Sequence, residues 1–92
     1  MEKQEALDLI YDYRKEIDEL DRRLVGMLNE RAELSIKIRK LKPAAGMQLF
    51  DAAREDAIYD KVCNFSEGTL KDEGLREIYA TLLKVMKENP AD

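Results

Sequence analysis

The chain has 92 residues, of which 45% are hydrophobic and 39% are charged, and its formal net charge is -4. A net negative charge argues against a general binder of nucleic acid or of an anionic membrane, because both ligands need a basic protein surface. The single cysteine excludes an intrachain disulfide and favours a reduced, cytoplasmic setting, and no apolar run approaches the roughly 20 residues that cross a bilayer.

The segment from Glu5 to Lys42 predicts one long helix, because it contains no proline and only one glycine, Gly26. Apolar residues recur in alternating steps of three and four, at Ile10, Tyr13, Ile17, Leu20, Leu24, Met27, Leu34, Ile38 and Leu41. The helix would be roughly 55 Å long, whereas a compact domain of this size has a radius of gyration of about 12 Å. We therefore expect a second chain to cover its far half.

A shorter second helix is expected after a connection of ordinary length. Pro43 ends the first helix, since proline cannot continue it. Asp51 is a good N-cap for a helix from about Ala52 to Asn64. The inward-facing residues of this helix are predicted to be Ala57, Ile58 and Val62.

A third helix completes the predicted fold. Thr69, with Asp72 three residues later, resembles a capping box at its start, and Pro90 stops it. The apolar stripe of this helix is Leu75, Ile78, Tyr79, Leu82, Leu83 and Met86. Because no segment alternates as a strand does, residues 1–92 predict a single all-α domain of three helices, the first much the longest.

Arg31 interrupts the apolar stripe of the first helix between Met27 and Leu34. A buried guanidinium is costly unless it is paired, so Arg31 fixes helix register or oligomeric state, pairs with a nearby Glu, or binds a carboxylate in a cavity. Lys42 lies about three turns, or roughly 16 Å, further along the same face, with the small Ser35 between them. The two cations could grip a small dianion, although a lysine is also favoured at a helix C-terminus by the helix dipole.

Arg14 lies seventeen residues before Arg31, which corresponds to about 25 Å along a helix and a turn of roughly 100°. The two arginines of one chain therefore cannot reach the same small ligand. Arg14 is either a solvated arginine near Asp18 or a residue that a partner chain supplies. Considered alone, Arg54 and Glu55 look like an exposed charged pair.

Together these residues resemble the all-helical chorismate mutases. The resemblance is carried by Arg14-Lys15-Glu16-Ile17-Asp18-Glu19-Leu20-Asp21, Leu28-Asn29-Glu30-Arg31-Ala32-Glu33-Leu34, Lys42 and Phe50-Asp51-Ala52-Ala53-Arg54-Glu55. It covers most of the chain, and the combination of these spacings is rather specific. It implies an intertwined homodimer in which the long first helices are shared and each of two sites borrows one arginine from the neighbouring subunit.

The resemblance also implies the reaction, the rearrangement of chorismate to prephenate in aromatic amino-acid biosynthesis. Arg14 of one chain and Arg31 of the other would bind the two carboxylates, with Arg54 supporting that region. Lys42 would donate to the ether oxygen, where negative charge develops as the C–O bond breaks. An intramolecular [3,3] rearrangement needs no metal, nucleophile or cofactor, which suits a chain without histidine.

The ring hydroxyl of chorismate would be held by Glu55 and by the backbone near Asp51, again by resemblance. The third helix departs from the family pattern. Met86 stands where a small polar residue is usual, and Pro90 stands where a Gln or Glu gives the ether oxygen a second hydrogen bond. Asn89 lies close to the expected inward face and could substitute for that residue, and Glu88 is a weaker candidate on angular grounds.

Two other functions fit parts of this pattern. An enzyme of the same fold that eliminates pyruvate from isochorismate would use similar arginines and a similar lysine. Glu55 favours the mutase, since a group that holds the ring hydroxyl of chorismate is expected at that position. A non-catalytic helical module that binds a shikimate-pathway partner or an aromatic effector would explain the altered third helix.

Overall fold

The computed structural model describes residues 1–90. They form three α-helices, α1 (Lys3–Leu41), α2 (Ala52–Phe65) and α3 (Asp72–Glu88), and no strand occurs in the described residues. The all-α, three-helix prediction is confirmed, and the predicted ends of the first two helices are shifted by at most two residues. No helix within residues 1–90 combines the length and the apolar character needed to cross a membrane.

The chain divides into two compact units, and the first, Met1–Glu33, consists almost entirely of the N-terminal part of α1. None of the residues Lys3–Leu41 is buried. Within the first unit, the apolar stripe predicted from the sequence is about half exposed, as at Ile17 (53%) and Leu20 (54%). This apolar face is therefore open to solvent in the single chain.

The second unit begins at Leu34, and its core lies between α2 and α3. The buried side chains are Val62, Leu75, Leu83 and Met86. An ion pair of 3.2 Å joins Asp60 to Arg76, and a second joins Glu55 at the start of α2 to Lys87 at the end of α3, so the two helices run antiparallel. Ile78 was predicted to face inward but is 50% exposed, because it lies roughly 90° around α3 from the centre of the buried stripe.

Past the end of α1 the chain makes one further turn, which a glycine closes. The amide of Gly46 donates to the Pro43 carbonyl (3.1 Å), and the amide of Met47 donates to the Lys42 carbonyl (2.9 Å). Gly46 has a φ of 70°, and this combination of bonds is a Schellman motif. The helix does end at Leu41, before Pro43, but Gly46 is the residue that redirects the chain.

The N-terminal ends of α2 and α3 differ in how they are capped. The carboxylate of Asp51 accepts a hydrogen bond of 3.0 Å from the amide of Arg54, which confirms the predicted N-cap of α2. The predicted capping box of α3 is wrong, since its N-cap is Lys71, which makes no side-chain cap bond. Thr69 lies in a bend two residues earlier, so its hydroxyl cannot occupy the N-cap position.

We expect Gly46→Ala to destabilise the protein and Gly74→Ala to stabilise it. At either position an added Cβ meets nothing within 4 Å, so backbone conformation decides both outcomes. Alanine at the left-handed φ of Gly46 costs about 1–2 kcal/mol, whereas alanine inside α3 is favoured over glycine by about 0.5–1 kcal/mol. Urea unfolding of both variants beside the wild type measures the difference. A Gly46→Ala protein as stable as the wild type would contradict the left-handed turn.

Candidate active site

Lys42 lies one residue beyond α1, where its backbone is held by the turn that follows. Its amide donates to the Ile38 carbonyl (3.0 Å), and its carbonyl accepts from the amide of Met47. The half-buried side chain crosses the connection to α2, and Nζ donates a hydrogen bond of 2.7 Å to the carbonyl of Leu49. The ammonium group is thereby held beside the segment that leads into α2.

The first turn of α2 carries the predicted carboxylate of the site. The Asp51 carboxylate is engaged in capping, and the Asp51 carbonyl accepts a hydrogen bond of 3.1 Å from the amide of Glu55. The Glu55 side chain is 22% exposed, so part of it faces solvent while the remainder packs against the protein. Arg54 is exposed, and its guanidinium makes no hydrogen bond or ion pair within residues 1–90.

Glu55 is paired with a lysine from the last turn of α3. The Nζ of Lys87 lies 3.1 Å from Oε2 of Glu55. The same ammonium lies 4.9 Å from the centroid of the Phe50 ring, a distance at which a cation–π interaction is favourable. Lys87, at the end of α3, therefore contacts both Phe50, which precedes the N-cap of α2, and Glu55, which lies in the first turn of α2.

The C-terminal end of α3 is capped by Arg39 of α1. Its Nη1 donates to the carbonyl of Asn89 (2.7 Å) and more weakly to that of Lys87 (3.5 Å), and its Nη2 donates to that of Met86 (3.1 Å). Asn89 is half-buried and is engaged through its backbone. Met86 is 7% exposed and belongs to the core, so its side chain has little surface left for a ligand.

The second unit brings several of the predicted site residues close together. The Lys42 ammonium donates to the carbonyl of Leu49, two residues before Asp51, and the amide of Glu55 donates to the Asp51 carbonyl. Ser35 is half-buried on α1. The two remaining arginines lie in the first unit, Arg14 exposed and Arg31 half-buried. No ion pair within residues 1–90 involves Arg31, so pairing with a nearby carboxylate does not explain it. The roles of these residues stay predictions.

An open depression of about 500 Å³ adjoins this region. It is lined by Met47, Gln48, Phe50, Asp51 and Ala52, and Asp51 is the only predicted site residue on its wall. Among the described residues, no group of three or more Cys, Asp or Glu side chains could hold a metal ion. The groups assembled here, two ammonium ions and a carboxylate, can bind anions and orient a hydroxyl by charge and hydrogen bonding.

Sequence reasoning missed Arg39, Lys87 and Phe50. Phe50 had been considered only as part of a family motif, and Arg39 and Lys87 look like ordinary cations in the last turn of a helix, where the helix dipole favours them. No local pattern connects either cation to its partner, because the bonds of Arg39 span up to 50 residues. The absence of a glycine after α3 was the one available signal that its last carbonyl groups need another donor.

Comparisons with known proteins identify relatives of most of the chain. Residues 13–89 match the family described as chorismate mutase type II. The chain is 30% identical over 81 residues to a bifunctional chorismate mutase/prephenate dehydratase of Aquifex aeolicus, a match that covers 84% of this chain. It is 28% identical over 69 residues to a chorismate mutase of Methanocaldococcus jannaschii, a match that covers 75% of this chain.

A solved structure, that of chorismate mutase (form II) from Thermus thermophilus, is similar with a TM-score of 0.81 and 26% sequence identity. The similarity covers 86% of this chain and 90% of that one. The two curated relatives are longer: the chain spans 22% of the Aquifex protein and 70% of the Methanocaldococcus protein. The shared region is thus a helical unit that occurs both in a short protein and as part of a bifunctional one.

Proposed function

The chain belongs to the chorismate mutase type II family, and from this membership we propose that it catalyses the rearrangement of chorismate to prephenate. The observation that carries the proposal is the match over residues 13–89, which includes all of α2 and α3 and most of α1. Similarity to a chorismate mutase structure over 86% of the chain supports it. The relatives' names point to a role in aromatic amino-acid biosynthesis.

The proposed chemistry relies on the charged groups of the site. The Lys42 ammonium donates a hydrogen bond to the ether oxygen, where negative charge develops in the transition state. The Glu55 carboxylate and the backbone near Asp51 accept and orient the ring hydroxyl. Arg14 and Arg31 bind the two carboxylates and hold the flexible substrate in a compact, chair-like conformer, since such positioning removes much of the barrier.

We further propose that the protein works as a homodimer whose first helices are shared. The solvent-facing apolar stripe of the first unit supports this, because every half-exposed apolar side chain that a partner covers contributes on the order of 1 kcal/mol. The separation of about 25 Å between Arg14 and Arg31 on one helix supports it as well. A site that uses both arginines then needs them from different chains.

The direct test follows the loss of chorismate and the appearance of prephenate with purified protein, with isochorismate assayed in parallel. We expect turnover of chorismate and no release of pyruvate from isochorismate. Release of pyruvate would favour the lyase of the same fold. Binding of chorismate without turnover, even at high protein concentration, would contradict the proposal and favour a non-catalytic binding module.

Lys42→Ala is expected to lower kcat by about 100-fold or more while changing KM little, because the ammonium stabilises charge that appears only in the transition state. Lys40→Ala is the matched control, since Lys40 is an exposed neighbour on α1. A thermal melt separates this effect from the loss of the bond to the Leu49 carbonyl. A Lys42→Ala effect confined to KM would contradict the assignment.

Arg14→Ala and Arg31→Ala should each be nearly inactive, yet a refolded equimolar mixture should recover about a quarter of the wild-type activity. Random exchange makes about half of the dimers mixed, and each mixed dimer has one intact site of two. A mixture of Arg31→Ala with Lys42→Ala is the control, because both residues are proposed to come from the same chain at each site. That mixture should recover nothing. If mass spectrometry shows exchange and the first mixture also stays inactive, the shared site is wrong.

A further inference from the structure

The pair formed by Lys87 and Glu55 is placed where it contributes little to stability. The Lys87 side chain is 49% exposed, and ion pairs of such exposure contribute about 0–1 kcal/mol. The Glu55 side chain, by contrast, is 22% exposed and lies in the first turn of α2. The pair therefore contributes little to the folding of the chain, and its 3.1 Å contact leaves the direction of the Glu55 carboxylate as the property it can affect.

Lys87 is itself held from two sides. Its ammonium lies 4.9 Å from the centroid of the Phe50 ring, and Phe50 directly precedes the N-cap residue Asp51. Its backbone belongs to the last turn of α3, whose carbonyl groups accept hydrogen bonds from Arg39. A lysine on a freely fraying helix end could not orient a partner, whereas the last turn of α3 is bonded to Arg39 and the Lys87 ammonium lies against an aromatic ring.

A carboxylate offers about four lone-pair sites on its two oxygens. Lys87 uses Oε2 of Glu55, and Oε1 makes no hydrogen bond within residues 1–90. The bond from Lys87 to Oε2 thus also sets the direction of Oε1, which can accept a hydrogen bond from a hydroxyl group of a ligand.

We infer that Lys87 is a positioning residue of the proposed active site, where it fixes the orientation in which the Glu55 carboxylate accepts the substrate's ring hydroxyl. This inference rests on the proposed function. Lys87 acts through Glu55 and does not itself contact the substrate. Its removal should therefore matter only while the Glu55 carboxylate is present.

The test is a double-mutant cycle on chorismate turnover with wild type, Lys87→Met, Glu55→Gln and the double variant. Methionine keeps an unbranched side chain that can cover the Phe50 ring but removes the charge. We expect Lys87→Met to lower kcat/KM about tenfold, within the coupling range of contacting residues. In the Glu55→Gln background the same change should cost less than about twofold. Lys87→Arg, which keeps a cation at this position, should recover most of the activity.

Lys84→Met is the control, since Lys84 is an exposed lysine of α3, and it should match the wild type. Thermal melts of all variants check that Lys87→Met is folded, and Lys87→Gln replaces it in the cycle if it is not. The inference is overturned if Lys87→Met behaves as Lys84→Met does, or if the losses from Lys87→Met and Glu55→Gln multiply. A wild type that does not turn over chorismate would instead overturn the proposed function.

Discussion

The last carbonyl groups of α3 have no amide partners within the helix, as at the C-terminus of every α-helix. Asn89 continues in an extended conformation (φ -68°, ψ 127°), and Pro90 after it has no N–H to offer. The guanidinium of Arg39 supplies the missing donors in a rigid fork. This contact joins the end of α1 to the end of α3, and the position of the Lys87 backbone depends on it.

The proposed site works entirely by charge and geometry. The second unit of the chain supplies Lys42 and Glu55 from the two sides of one connection, and Arg14 and Arg31 belong to the first unit. The end of α3 contributes packing through Met86 and a backbone anchor through Asn89. Its link to the candidate site is made by Lys87, whose ammonium pairs with Glu55.

Features that depend on neighbouring residues could be predicted from the sequence, and features that depend on distant ones could not. Apolar spacing predicted the three helices, and Asp51 was recognised as a cap because a capping carboxylate reaches an amide only three residues away. The capping box at Thr69 failed because α3 starts after Lys71, which makes no side-chain cap bond, and residue preferences at the N-cap give no reason to select a lysine. The bonds from Arg39 to Met86 and Asn89 cross 47 and 50 residues, beyond the range of any periodic pattern.

The hydrogen bond from Lys42 to the Leu49 carbonyl changes the step at which the Lys42 side chain loses its rotamer entropy. A lysine side chain has about 2 kcal/mol of rotamer entropy to lose when it is immobilised. Here the protein's own carbonyl restricts Lys42, so part of that loss is taken when the chain folds and not when a ligand binds. The ammonium has three N–H groups, and the bond to Leu49 uses one of them. For the catalytic role proposed for Lys42, the length of the connection between α1 and α2 therefore affects how well the transition state is stabilised, because a longer connection would return this freedom to the lysine.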